Sequence, residues 1–162
     1  MDAAVAWIQA TRLSQGIVSS LWVWPACETI HFIGLALVVG IVGFFDLRLM
    51  GAFKRIPLAA ARSLMPFAVF GFLCNLTTGV TFLIGHPEQY VHNVAWWAKV
   101  SFLAIAGLNA LVFERTLAPD LLEQGDLEDT PIGAKAVGFV SLVAWIGVLY
   151  WGRMLPFIGG AF

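Results

Sequence analysis

Charged side chains are scarce in this chain. Only 12% of its 162 residues are Asp, Glu, Lys or Arg, where soluble domains carry roughly a quarter. With 60% hydrophobic residues and a mean hydropathy of +0.86, a soluble globular protein is excluded and an integral membrane protein is expected. The nine basic residues form no run and the net charge is −1, so nothing offers a phosphate backbone a basic track and no nucleic-acid partner is expected. Cysteine is limited to Cys27 and Cys74; there is no CxxC pair, no CxxCH haem-attachment site and no disulfide framework. A P-loop, a GxGxxG turn and a serine-histidine-acid arrangement are also missing. Met1-Asp2 opens without a basic stretch, and no small-residue cleavage site follows a short apolar core, so no secretory signal is expected.

What the chain does have is long apolar runs. Four stand out, at roughly 25–50, 60–85, 95–117 and 133–155; each is long enough, at about 1.5 Å per residue, to cross a hydrocarbon core of ~30 Å. Helices satisfy their own backbone groups in lipid, so the fold class expected is all-α: an integral membrane four-helix bundle over 22–162. Residues 1–21 are less apolar, with Gln9, Arg12, Ser14 and Gln15 opposed by Val5, Ile8, Leu13 and Ile17 at near-helical spacing. They read as an amphipathic helix lying in the membrane interface.

Arg48, Lys54, Arg55, Arg62, Arg115 and Lys135 cluster around the first and third connections, against Arg12, Lys99 and Arg153 elsewhere. The positive-inside rule makes those connections cytoplasmic and puts both termini outside, in the periplasm of a bacterial inner membrane; the acids Asp120, Glu123, Asp126, Glu128 and Asp129 count little in that rule. Six of the tryptophans (Trp7, Trp22, Trp24, Trp96, Trp97 and Trp151) then form a belt at or near the outer interface, with Trp145 somewhat deeper.

This orientation gathers the chemistry-bearing residues on one side. Glu28 and His31, at i and i+3 on one helix face, lie near the outer end of the first span. Ionisable groups inside a span are costly, and most are retained for ligation, ion pathways or proton relays. The second connection, Gly85-His86-Pro87-Glu88-Gln89-Tyr90-Val91-His92-Asn93, brings the other two histidines to the same face. His31 reads either as an axial ligand of a b-type haem or as a histidine bonded to a neighbouring helix. A second haem ligand has to be His92 or His86. His92 is preferred because it stands just before the third span, where a helix can fix its ring, whereas His86 precedes Pro87 in a turn. Glu28 reads as a proton relay or metal ligand, or as a carboxylate satisfying the first turn of its helix. Together with His86, Glu88 and His92, Glu28 and His31 also have the chemistry of a copper or zinc site. Lys99, one turn beyond Trp96-Trp97, either snorkels outward or holds a haem propionate or a quinone oxygen. In the second span Gly71, Asn75, Thr78 and Gly79 form a small, polar stripe suited to a neighbouring helix or a flat ligand.

The segments WPACETIHFIGLALVVG with FDLRLMG, TTGVTFLIGHPEQYVHN and WWAKVSFLAIAGLNALVFE resemble an uncharacterised bacterial family of four-span membrane proteins, domain of unknown function 6644, from about Trp24 to Glu114. The resemblance implies a four-helix inner-membrane protein with the Glu28-x-x-His31 pair as part of the pattern. Relatives often carry a histidine where this chain has Glu114. More distantly, the layout is similar to the cytochrome b561 group and to copper-resistance membrane proteins, which place a redox or metal site near the periplasmic face. The leading functional expectation is a redox subunit binding haem b near the outer face through His31, with electrons passing between a quinone or periplasmic donor and a partner protein. The alternatives are a cofactor-free accessory subunit of a larger complex and a periplasm-facing copper or zinc handling protein.

Overall fold

The computed structural model describes residues 3–123 and 129–158; Met1, Asp2, Asp126 and Glu128 lie outside them. Among the described residues every element is helical, and four helical stretches are long and apolar enough to span a membrane: Val23–Leu49, Leu58–Gly85, Val94–Leu121 and Ile132–Met154. The chain is an all-α, multi-pass membrane protein whose apolar helices call for a lipid bilayer. Below, the end that holds Arg48 and Arg62 is called inner and the opposite end outer.

The amphipathic N-terminal segment runs as two short helices, α1 (Ala3–Gln9) and α2 (Arg12–Ser19). They part at Thr11, whose hydroxyl accepts from the Ser14 N–H at 3.2 Å and so starts α2 afresh. Val5 and Ile17 face the bundle, while Trp7 and Leu13 face outward. The first span, α3 (Val23–Leu49), carries Pro25 in its first turn, where the missing N–H costs nothing. A short α4 (Leu58–Arg62) leads into α5 (Met65–Gly85), and α6 (Glu88–Val91) makes one turn in the second connection. The third span starts as α7 (Val94–Val112), widens through a π turn at Phe113–Leu117 and ends as α8 (Ala118–Glu123). The fourth is α9 (Ile132–Met154). Asn93 caps α7 by accepting from the Ala95 N–H at 2.9 Å. Its amide also donates to the Leu155 and Ile158 carbonyls, tying the outer ends of α7 and α9 together.

The bundle is a chain of three packed pairs rather than a closed ring. α3 packs on α5 and on α9, and α9 packs on α7, but α5 and α7 scarcely meet. The α3/α5 crossing is close because both helices present glycine: a Cβ at Gly34 would stand 2.6 Å from the Gly71 carbonyl oxygen, and one at Gly71 2.7 Å from that of Gly34. The buried apolar cluster sits at the inner end, where Phe45, Leu49, Leu58, Phe113 and Leu121 meet Ala61, Ala118 and Ala134. Phe45 and Phe113 stack edge to face at 5.5 Å. The same end is closed by polar contacts. Arg48 Nε donates to the Ile56 carbonyl at 2.7 Å, Thr130 donates to the Leu49 carbonyl, and Asp129 bridges Lys135 at 2.9 Å and Lys54 at 3.6 Å. The Lys135 hydrogen bond holds the Asp129 carboxyl below the usual carboxylate range.

Candidate functional site: a cavity in the outer half

Where the inner half is packed, the outer half is hollow. A cavity of about 1030 Å³ lies among α2, α3, α5, α7 and α9, with His31, Asn75 and Lys99 on its walls and Glu28, His86 and Tyr90 toward its outer end. Burial, then the carboxylates of Glu28 and Glu88, push the Tyr90 phenol up to about 12, so it remains a hydrogen-bond donor at neutral pH.

His31 is held by α5. Its Nδ1 lies 2.7 Å from Thr78 Oγ1, and that hydroxyl lies 2.8 Å from the Cys74 carbonyl oxygen one turn back. A hydroxyl has one proton to donate, and the carbonyl can only accept. Both contacts are hydrogen bonds only if Thr78 donates to Cys74 and His31 Nδ1–H donates to Thr78. The neutral ring therefore keeps its lone pair on Nε2, the nitrogen that ligates a metal or accepts a proton donor when Nδ1 is anchored.

Asn75 does different work from that of a ligand-holding amide. In the amide orientation that satisfies both of its ends, its nitrogen donates to the His31 carbonyl at 2.7 Å and its oxygen accepts from the Leu35 N–H at 3.1 Å. It thus stitches α5 to the backbone of α3 beside the Gly34–Gly71 crossing. The small, polar stripe of α5 divides its tasks: Gly71, Asn75 and Thr78 serve α3, while Gly79 looks into open space in the cavity wall.

Lys99 comes from the facing helix. Its side chain lies along α9, within ordinary contact distance of Gly152, where a Cβ would stand 3.6 Å from Nζ. Among the described residues no carboxylate or carbonyl accepts from the ammonium.

The outer rim is aromatic and acidic. Glu28 is exposed and accepts from Trp24 Nε1 at 3.1 Å, an i,i+4 contact on α3. Rings run in contact from His31 to Phe82 (5.7 Å), Phe82 to Trp24 (4.8 Å) and Trp24 to His86 (5.1 Å). His86 pairs with Glu88 at 3.1 Å, and Glu88 also accepts from Gln9 of α1 at 2.7 Å. Of the two histidines in the connection, His86 lines the cavity and His92 does not: His92 closes α6, is exposed, and stands outside the lining. The reason is helical register. His86 ends α5 with its N–H on the Phe82 carbonyl at 3.0 Å, so it continues the stripe of Gly79 and Phe82; the turn of α6 then carries His92 away.

Cys27 and Cys74 are free thiols. Among the described residues no three His, Cys, Asp or Glu side chains converge as a metal site. Two cavity residues escape a reading by segment, Tyr90 in the connection and Arg153 at the outer end of α9. Arg153 was legible as a basic side chain in a helical last turn; that it borders the cavity depends on how α9 is rotated. No family model, no curated protein and no solved structure matches the chain.

Proposed function

We propose that this chain is a membrane redox subunit that seats a redox-active group in the outer-half cavity against His31 and exchanges electrons with a partner protein. The observation that carries the reading is the imidazole itself: a neutral ring in a cavity wall, anchored through Nδ1 with its Nε2 lone pair left to act. An ionisable ring inside a span is expensive unless it is used.

The residues fit one side of a b-type haem. His31 Nε2 would hold the iron, with Thr78 orienting the ring, and Lys99 and Arg153 would offer cations to the propionates. Such a haem would supply one-electron chemistry; the chain's part is to hold and orient it and to exclude water. The other histidine along the lining is His86, tied to Trp24 and Glu88 at the rim. A copper or zinc handling role has no converging ligand set to rest on among the described residues.

Purification in mild detergent from haem-replete cells tests the reading. We expect either a Soret band or a quinone in the organic extract at close to one per chain, and its loss in His31→Ala. A colourless protein with no bound quinone would overturn the redox reading and leave the accessory-subunit role.

A further inference from the structure

The cavity is partly roofed at its outer end by α2 and lacks a wall on one flank. Ile17 and Val18 of α2 belong to its lining, and Ile17 lies on the end of α5, its Cγ2 3.1 Å from where a Gly85 Cβ would be. Gln9 latches α1 to the connection through Glu88. On the flank the closure is missing, because α5 and α7 scarcely meet. There Leu76, Val80 and Val100 line the cavity and are 49%, 46% and 36% exposed. A group that enters by this flank is itself lipid-soluble.

The polar groups inside specify its head. The Lys99 ammonium has no acceptor among the described residues, and a cation in a low-dielectric site needs one. His31 Nε2 is the opposite case, an acceptor that needs a donor. A phosphate or carboxylate head without a hydroxyl or amine of its own would answer Lys99 and offer His31 nothing. A ring that carries oxygens on opposite edges, one accepting from Lys99 and the other donating a hydroxyl proton to His31, answers both.

We propose that the occupant is a quinone-class lipid in its reduced, quinol form that reaches the cavity sideways between α5 and α7, one ring oxygen accepting from Lys99, the other donating its hydroxyl proton to His31, and its tail left among the lipid chains. The proposal rests on the redox reading above and names the group.

Trp24, Trp96 and Trp145 line the cavity and report on it, because a quinone quenches tryptophan emission on contact. The full chain in phosphatidylcholine nanodiscs is titrated with decylubiquinone, alone and against added decylubiquinol, which should displace it because only the quinol can donate to His31. Saturable quenching is expected, weakened at least about tenfold in Lys99→Met, which loses a charge-assisted hydrogen bond. It is expected to vanish in Gly79→Leu, whose side chain grows into the cavity from a position with nothing within 4 Å. Gly107→Leu is the control: Gly107 also has open space around it but is not on the cavity, and its titration should match the parent. Quenching that rises without saturation and equally in all variants would overturn the proposal, as would displacement of decylubiquinone by phosphatidylglycerol at comparable concentrations, which would make the occupant an acidic acyl lipid. A Soret band without quinone quenching would keep the redox reading and end this one; neither signal would end both.

Discussion

At the inner end of the bundle Phe45, Leu49, Phe113 and Leu121 fill the space between helices, while two to three turns further out the same helices part around a cavity of about 1030 Å³. Both halves are made of apolar helix, so hydrophobicity does not separate them. Side-chain contact does. In lipid, helices associate through packing and hydrogen bonds rather than by escaping water, and a void in such a bundle forfeits dispersion contacts on every wall. The inner half collects those contacts and adds the Arg48, Thr130 and Asp129 tethers. The outer half gives them up, and His31 and Lys99 line the space that results. An inner half that holds the helices together allows an outer half that does not.

The names inner and outer rest on basic residues, and the test of them is all or none. In a chain whose Cys27 and Cys74 are replaced by alanine, a cysteine at Lys54 should resist a membrane-impermeant thiol reagent in intact cells and react once the cells are opened. Labelling in intact cells would falsify the orientation and move the cavity to the cytoplasmic side.

The next largest effect falls on the seam shared by both halves. Gly71→Leu drives a side chain into the Gly34 carbonyl at a distance no Cβ tolerates, so α3 and α5 must separate. We expect at least about 3 kcal/mol of lost stability, read as a fall in the thermal midpoint in detergent, together with release of the Asn75 stitch to His31. An unchanged midpoint would mean that the crossing is not as close as described.

A paired substitution sharpens the contrast between the halves. Phe113→Ala opens a hole in the packed inner cluster and should cost about 3 kcal/mol. In protein stripped of any bound lipid or cofactor, Leu103→Ala, in the cavity wall, removes atoms that already face space and should cost under about 1 kcal/mol. Equal costs in protein that has not been stripped would mean that the cavity is filled in the folded protein, which is the result a bound lipid or cofactor would give.

The smallest effect concerns the inner tether. Asp129 has its carboxyl held below the usual range by Lys135, so its contribution is present above the unfolded value of about 3.9 and is lost as pH falls through the folded one. Amide exchange at the start of α9 should quicken modestly in that acidic window and lose the dependence in Asp129→Asn, with the outer half unaffected. A pH dependence that survives the substitution would point to another acid.

The spans were legible because the signal is local: runs of apolar residues as long as the bilayer is thick form helices whatever their neighbours do, and the four observed spans begin and end within a few residues of the apolar runs. Glu28 and His31 were legible as a pair for the same reason, since i and i+3 share a face in any helix. Stripe reasoning also had Thr78 and Gly79 in view, though not their tasks. His92 shows the limit. Its place before the third span made it the preferred partner of His31, yet one turn of α6 sets it outside the lining and leaves His86 there. Periodicity stops at a helix end, and the direction of the chain beyond it depends on contacts such as Asn93 with the outer end of α9.

The sequence by itself determined that this protein crosses a membrane, with how many helices and roughly where, because length and apolarity decide those matters residue by residue. Only the tertiary structure decided that α5 and α7 stay apart, that Asn75 serves the α3 backbone, that Thr78 leaves His31 its Nε2 lone pair, and that Lys99 lines a cavity with no acceptor for it among the described residues. Those outcomes depend on the order of helices around the bundle and on the rotation of each about its axis, and both are set by close contacts between residues far apart in the chain.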